Sequence, residues 1–193
     1  MIRKLGEIAE IQSGYPFRKS VRHHSRGNYA VVQVRDIRDD TTICYEHLAR
    51  VSDIQPKKRH FLREGDLLFS AKGSHNLVGY VEKNLQNTVA SANFFVIRVK
   101  SQYVLPEYLA WYMTQRTARK FFRAHAKGTL TLSISKAVLR QLQIPIPSLE
   151  KQRKILKMQL MANEELKIAL QILTKRTQMI QAILLKAAKE HLE

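Results

Sequence analysis

From Ser148 to about Lys189, apolar residues recur at alternating spacings of three and four, and no Gly or Pro interrupts them. This pattern is typical of one long helix with a coiled-coil seam, weak at its start and regular from Leu166 onward. At 1.5 Å per residue the helix would reach about 60 Å, well beyond the size of a small domain. We therefore expect it to leave its own domain and pair with a second helix at a dimer interface. The predicted interface residues are Leu156, Asn163, Leu166, Leu170, Leu173, Thr177, Ile180 and Leu184.

Two positions of this seam are polar, Asn163 and Thr177. Polar seam residues cost stability but select one register, which favours a specific protein partner. A membrane is not expected, because charged residues such as Glu164 and Lys167 interrupt any apolar run that could span a bilayer. A helix folded back on its own domain is the alternative interpretation.

Shorter apolar patterns precede the long helix and predict an α+β fold. A mixed β-sheet domain with short helices is expected over residues 1–147, followed by the long helix over 148–191. Residues 5–12 alternate weakly and are typical of either a short strand or a helical turn. Clearer alternation, with β-branched and aromatic residues, predicts strands over 28–37, 67–70, 77–81 and 90–100.

A single helix is predicted between Pro106 and Gly128, because Pro favours the first turn of a helix and Gly its end. The next segment contains Ser133 and Ser135, and either hydroxyl could cap the short helix predicted after them. The apolar stripe expected to face the core comprises Tyr108, Leu109, Tyr112, Phe121 and Phe122.

The net charge of the chain indicates that this domain binds another molecule. There are 33 basic and 16 acidic residues, a formal net charge of +17. Of these, 24 basic and 11 acidic residues precede Leu149, so most of the surplus belongs to the globular part. A domain this basic usually binds a polyanion, and nucleic acid is the first candidate. A membrane surface is disfavoured because the long helix contains no aromatic residue.

Three segments carry the candidate DNA contacts. The loop after residue 13 has several cations without neighbouring carboxylates, which favours contacts with phosphates. The glycine-containing loop at 71–76 has side chains that can bond base edges. The later part of the predicted helix has cations with no acidic residue one turn away. The predicted DNA-binding residues are Arg18, Lys19, Arg22, Lys72, Ser74, His75, Asn76, Arg119, Arg123, Lys127 and Thr129.

Catalytic motifs are not found in the sequence. It has no glycine-rich S-adenosylmethionine loop, no paired carboxylates that would hold magnesium, and no Cys/His cluster with zinc spacing. The lone Cys44 excludes an intramolecular disulfide, and the first residues do not read as a signal peptide, so the cytoplasm is the expected compartment. We therefore expect a protein that is not an enzyme and holds no cofactor or metal of its own.

Four stretches of the chain are informative together: LGEIAEIQSGYPF, GDLLFSAKGSHNLVGYV, ANFFVIRVKSQYVLPEYLAWYM and SISKAVLRQLQIPIPSLEKQRKI. They resemble the specificity subunit of type I DNA restriction–modification systems. Together they cover nearly the whole chain, as one target-recognition domain and one spacer helix. The last stretch is the most specific, because Ile-Ser-Lys, a short helix and Ile-Pro-Ile-Pro lead into the long helix.

The resemblance implies a non-catalytic subunit that recognises a sequence in double-stranded DNA. It also implies adenine methyltransferase subunits as partners, which bring S-adenosylmethionine, with restriction subunits as further candidates. The full-length family carries the domain-and-helix unit twice, with antiparallel helices, whereas this chain has it once. A homodimer through the helix would restore the pair and predicts a bipartite site with inverted half-sites. A fragment of a two-domain subunit is the competing explanation.

Other functions remain as alternatives at this stage. A general RNA- or single-strand-binding module with a coiled-coil helix would need exposed aromatic side chains, whereas most aromatics here fall in predicted strands or core stripes. A metal-dependent nuclease would have to use histidines such as His75 or His125. A purely structural coiled-coil adaptor leaves the charge of the globular part unexplained.

Overall fold

A computed structural model describes residues 1–189 apart from residues 19, 22, 39, 74–75 and 129–131. The strands are β1 (Ile2–Lys4), β2 (Ala9–Ser13), β3 (Tyr29–Val32), β4 (Ala49–Val51), β5 (Leu67–Ser70), β6 (Val78–Tyr80), β7 (Thr88–Ala90), β8 (Phe94–Val99) and β9 (Gln143–Pro145). The α-helices are α1 (Leu5–Ile8), α2 (Pro106–Thr114), α3 (Arg116–His125), α4 (Lys136–Arg140) and α5 (Leu149–Lys189).

The strands form three sheets. The largest is antiparallel, with the order β2-β8-β5-β6. The second has the order β4-β3-β7 and is mixed, because β3 is parallel to β7 and antiparallel to β4. A two-stranded sheet joins β1 to β9, which brings the start of the chain beside the segment that leads into α5. The predicted α+β architecture of a mixed β domain, short helices and one long C-terminal helix is confirmed.

The core of the globular part lies against β5, whose four residues are all buried. Phe69 of this strand contacts Phe122 of α3, with 4.8 Å between the ring centroids. Both rings are almost fully removed from solvent, and burial of one large apolar side chain contributes about 2 kcal/mol. This contact fixes α3 on the sheet, so its opposite face is turned outward.

A buried ion pair crosses the largest sheet near the start of β5. The guanidinium of Arg98 in β8 donates two hydrogen bonds to Asp66, of 2.8 and 2.6 Å. The Asp66 side chain is 1% exposed and also accepts a bond from the Arg63 amide. These hydrogen bonds to Asp66 raise the pKa of Arg98. Arg98 alternates with the buried residues Phe94 and Val96 along β8, and this pairing explains why a charge is tolerated there.

Replacing Asp66 by Asn is expected to destabilise the domain by about 3 kcal/mol, because the half-buried Arg98 then lacks its counter-charge. Urea unfolding measures this as a lower midpoint with an unchanged slope. The matched control is Glu10→Gln, which removes the exposed Lys100–Glu10 pair of 2.7 Å and should leave the midpoint nearly unchanged. Equal effects of the two substitutions would show that the Asp66 pair has no special structural role.

Three predicted elements differ from the observed ones. The strand expected over 90–100 begins at Phe94, and Ala90 ends β7, which belongs to another sheet. The strand expected over 28–37 ends at Val32, and Val34–Asp36 forms a 3₁₀ turn. The Asp36 carboxylate accepts a bond of 2.7 Å from the Gln33 amide, and this local bond closes the turn.

The single helix predicted between Pro106 and Gly128 is wrong: it is two helices, with extended backbone at Gln115 (φ −71°, ψ 155°). The side chains of Thr114 and Gln115 both donate to the carbonyl of Trp111, at 2.7 and 2.9 Å. Such side-chain bonds compete with continuation of a helix. Two members of the expected core stripe, Tyr112 and Phe121, are only half-buried.

The first turn of α5 is held by a fully buried glutamine. Gln152 donates to the carbonyls of Tyr103 and Pro147, at 2.8 and 2.9 Å, and accepts a 2.9 Å bond from the Leu105 amide. One side chain therefore satisfies three backbone groups that would otherwise be buried without partners. Gln152 is the last residue of the compact unit that begins at Met1.

The second compact unit begins at Arg153 and contains the rest of α5. Its apolar side chains are exposed along the seam, Leu166 by 60% and Leu184 by 63%. The hydroxyl of Thr177 bonds the Leu173 carbonyl of its own helix at 3.0 Å, so it is satisfied in the single chain. Within the described ranges, no helix combines the length and apolar character that crossing a bilayer requires.

Candidate nucleic-acid interface

The sheet β2-β8-β5-β6 has one end from which the predicted DNA-binding loops emerge. Ser13, the last residue of β2, pairs with Phe95, and Ser70, the last residue of β5, pairs with Phe94. Both strands therefore finish beside the start of β8. The loop that contains Arg18 follows β2, and the loop that contains Lys72 follows β5. We call this the loop end of the sheet.

Main-chain hydrogen bonds fix the stems of these loops. The amide of Gly14 donates to the carbonyl of Phe94, and the amide of Ala71 donates to the carbonyl of Asn93, both at 2.9 Å. A Cβ atom on Gly14 would overlap the carbonyl oxygen of Ser91, so only glycine fits at this close approach. The loops thus leave the sheet from defined positions, whatever their own side chains are.

Backbone bonds join three segments at this end, and we call them the bridged loops: residues 71–73, 127 and 132–134. Ser133 exchanges backbone bonds with Lys127, of 2.8 and 3.0 Å, and also forms a β-bridge with Lys72. Flanking bonds join Gly73 to Leu132 and Ile134 to Ala71, at 3.0 and 2.8 Å. Because directly opposed residues of adjacent strands project on the same face, Lys72 and Lys127 flank Ser133 on one surface.

The helix α3 adds two further predicted contacts to this group. Arg119 and Arg123 are four residues apart and therefore share one face of the helix. Both are exposed, whereas Ala118 and Phe122 face the core. Lys127 follows the C-terminal end of the helix and lies in the bridged loops. The structure therefore brings three predicted sites, Lys72, Lys127 and the Arg119/Arg123 face, into one continuous stretch of the fold.

Electrostatics differ between the two ends of the sheet. Among the described residues, no carboxylate lies within ion-pair distance of Arg18, Lys72, Arg119, Arg123 or Lys127. Carboxylates occur instead at or beside the opposite strand ends, at Glu10, Glu64, Asp66 and Glu107. There Glu107 accepts a 2.8 Å bond from Tyr80, and burial followed by this bond raises the pKa of the phenol. The cationic loop end is therefore the one suited to a polyanion.

The remaining predicted contacts are placed differently. Arg18 is exposed in the loop after β2. Asn76 is half-buried, and its amide donates a 2.9 Å bond to the Ser70 carbonyl, so part of its hydrogen-bonding capacity closes the foot of its own loop. The capping prediction is confirmed for Ser135, whose hydroxyl accepts from the Val138 amide at 3.2 Å. Outside the described residues lie Lys19, Arg22, Ser74, His75 and Thr129.

One group of cations near this end has no counterpart among the predicted contacts. Lys57, Lys58 and Arg59 are consecutive and exposed, and with His60 they form a short turn that we call the basic turn. The sequence signal was present as a run of cations after Pro56, but a surface loop of ordinary charge would look the same. Contact with β2 distinguishes it: the Gln12 side chain donates to the Arg59 carbonyl at 2.7 Å.

Within the part of the chain that the structure describes, His, Cys, Asp and Glu side chains do not gather in a group of three or more that could hold an ion. What the loop end offers is hydrogen-bond donors and positive charge on backbone-anchored loops.

Comparison with known families gives one match over most of the chain. The model of the type I restriction modification DNA specificity domain matches residues 1–173.

Two curated relatives are similar in sequence. The type I restriction enzyme HindI specificity subunit of Haemophilus influenzae is 25% identical over 139 residues, 70% of this chain and 30% of the relative. The putative type I restriction enzyme MjaX specificity subunit of Methanocaldococcus jannaschii is 27% identical over 163 residues, 81% of this chain and 37% of the relative. The chain thus spans well under half the length of these relatives.

Solved structures share the fold at low sequence identity. The HsdS subunit from Thermoanaerobacter tengcongensis superposes with a TM-score of 0.66 at 18% identity, over 86% of this chain and 43% of that one. The type I restriction–modification S subunit from M. genitalium gives a TM-score of 0.58 at 17% identity, over 86% and 40%. These likenesses show the architecture, and the cationic loop end is a property of this chain's own residues.

Proposed function

Because this chain belongs to the type I restriction modification DNA specificity family, we propose that it recognises a defined sequence in double-stranded DNA as a non-catalytic specificity component. The bridged loops and the exposed face of α3 supply the contacts in this proposal. Lys72 and Asn76 are assigned to base edges, and Arg119, Arg123 and Lys127 to phosphates or bases. The predicted contacts Ser74, His75 and Thr129 lie outside the described residues and stay predictions.

The observation that carries this proposal is the unbalanced charge of the loop end. Lys72 and Lys127 flank Ser133 on one surface, and no described carboxylate neutralises either of them. Holding like charges close together is unfavourable unless a polyanion binds there. A duplex suits this surface because its phosphates meet the cations while the groove exposes base edges to the loops between them.

The long helix supplies the second part of the proposal. Its exposed seam, from Leu166 to Leu184, suits a second copy of the same helix, since a two-fold contact lets each seam bury the other. Antiparallel pairing would carry two identical domains at opposite ends. The DNA site of such a homodimer is bipartite, with two inverted half-sites.

Partner subunits complete the proposed complex. We assign catalysis to adenine methyltransferase subunits, which bring S-adenosylmethionine, with restriction subunits as a further possible component. Apolar positions outside the seam, among them Met158, Ile168, Ile172 and Met179, are exposed and are the candidate contacts for the methyltransferase subunits.

Selection from random duplexes tests this function. The full chain is mixed with duplexes that carry a random central segment, bound molecules are recovered over several rounds, and the pool is sequenced. We expect one motif to be enriched as an inverted repeat, with affinity at least about 10³-fold above that for scrambled duplexes. A general RNA- or single-strand-binding module would instead enrich no motif, and single-stranded RNA would compete as well as the selected duplex. Either of those two results contradicts the proposal.

A further inference from the structure

The basic turn presents three consecutive cations on a fixed backbone. Its residues form a 3₁₀ turn in which the His60 amide donates to the Lys57 carbonyl at 2.8 Å. The Lys57 amide donates to His60 Nδ1 at 3.1 Å, and Gln12 ties the Arg59 carbonyl to β2. A surface loop of incidental charge needs no such anchoring. Here Lys57, Lys58 and Arg59 project from a segment bonded both internally and to the sheet.

The surroundings of His60 in this turn are positively charged. The His60 ring packs edge-on against Tyr15, with 5.3 Å between the ring centroids. Burial lowers the pKa of His60, and the charges of Arg59 and Lys57 lower it further. Among the described residues, no carboxylate lies within ion-pair distance of Lys57, Lys58 or Arg59. The positive field of the turn is therefore not cancelled within the described chain.

The basic turn lies close to the loop that carries the predicted base contacts. Gln12 is one residue from the end of β2, so the turn lies beside the loop end of the sheet. The Lys72 loop leaves the same end from β5, and β8 separates β2 from β5. Two strand spacings amount to about 10 Å, comparable to the roughly 12 Å width of a DNA major groove. One duplex can therefore contact both surfaces.

We propose that the basic turn is a sequence-independent clamp that binds phosphates of the same DNA duplex whose bases the bridged loops read. This inference rests on the proposed function for the identity of the duplex. The clamp itself reads no bases: Lys57, Lys58 and Arg59 bind backbone phosphates on whatever sequence the duplex carries. Its contribution is affinity and orientation, while the bridged loops supply the preference.

Charge removal at the turn tests the clamp. The full chain with Lys57→Gln, Lys58→Gln and Arg59→Gln is titrated with a duplex carrying one half-site and with a scrambled duplex of equal length, at several salt concentrations. Each lost phosphate contact lowers the slope of log K against log salt by about 0.9, so the expected decrease is about 2.7. At 0.15 M salt this corresponds to roughly 10²-fold weaker binding of both duplexes. The ratio of the two affinities should stay unchanged.

Two further variants serve as controls for this test. A control with Lys4→Gln, Lys136→Gln and Lys151→Gln removes the same charge from exposed positions elsewhere in the same compact unit and should change the slope little. A second variant, Lys57→Arg, Lys58→Arg and Arg59→Lys, keeps the charge and should keep the slope. Thermal unfolding midpoints equal to that of the wild type show that the turn variants are folded.

Three outcomes overturn the clamp: an unchanged slope, an equal effect of the control triple, or a loss confined to the half-site duplex. The last would make the turn a base reader. A wild-type chain that prefers no sequence contradicts the proposed function alone, because the scrambled duplex still tests whether the turn binds phosphates.

Discussion

Replacing Leu170 by Glu is expected to convert the chain from a dimer to a monomer at micromolar concentration. Leu170 lies in the middle of the exposed seam of α5 and is 55% exposed in the single chain. In a two-fold dimer the substitution enters twice and buries an unpaired carboxylate in each copy, at a cost of about 4 kcal/mol or more. That energy corresponds to a roughly 10³-fold weaker dimer. Sedimentation equilibrium or light scattering measures the mass directly.

The matched control is Gln171→Glu on the same helix. It introduces the same residue and the same change of charge one position outside the seam, and Glu is a good helix former, so helicity should be kept in both variants. The Gln171 variant should remain a dimer. A wild-type chain that is monomeric at tens of micromolar would contradict pairing through this seam, and the exposed surface would then require a different chain as partner.

Neutralising Arg119, Arg123 and Lys127 together by Gln is expected to weaken binding of the selected duplex by about 4 kcal/mol, roughly 10³-fold. The three cations lie on the exposed side of α3 and in the bridged loops, without a described carboxylate to replace the DNA. The salt slope should fall as well. In contrast to changes at the basic turn, the preference for the selected site over a scrambled duplex should also decrease, if any of the three contacts a base. Fluorescence anisotropy at several salt concentrations measures both quantities.

The Lys4, Lys136 and Lys151 triple is again the control for net charge, and it should retain nearly full affinity. The buried side of α3, including Phe122, is untouched by the substitutions, so the unfolding midpoint should not fall. Undiminished affinity of the folded triple variant would remove this face of α3 from the DNA-binding surface.

Local patterns in the sequence predicted those elements that local physics determines. The heptad of α5 requires only that apolar residues recur on one side of a helix, and the observed helix spans Leu149–Lys189. The strand Leu67–Ser70 was predicted with its bounds, because four apolar or small residues followed a turn at Gly65. This glycine has φ +84°, a conformation that other residues rarely adopt.

Side-chain bonds to the backbone account for the errors. The break at Gln115 depends on two side chains that both donate hydrogen bonds to the carbonyl of Trp111. The periodicity of apolar residues gives no information about such bonds. The role of Gln152 was equally hidden, since its partners Tyr103 and Leu105 are nearly fifty residues away in the sequence. Single-sequence patterns carry no information about contacts at this range.

The candidate site was predicted in its parts but not in its assembly. Cations without acidic neighbours in sequence pointed to α3 and to the loop after β2, and side chains that can bond base edges pointed to the loop after β5. That Lys72 and Lys127 flank Ser133 follows from pairing between segments some sixty residues apart, which no local rule provides. The basic turn was overlooked although its charge is evident in the sequence, because its hydrogen bond to Gln12 is not.

The stems of the loops at this sheet end are held largely by main-chain bonds, at Gly14, Ala71 and Ile134, and the Asn76 side chain adds a bond to the Ser70 carbonyl. Main-chain bonds can be made by almost every residue type, so they place little restriction on which side chains the loops carry. Exchanging loop residues between the anchored positions can therefore change the DNA sequence that is recognised, with little loss of fold stability. A library randomised at Lys72, with Gly14 and Asn76 retained, would explore altered specificities on an unaltered scaffold.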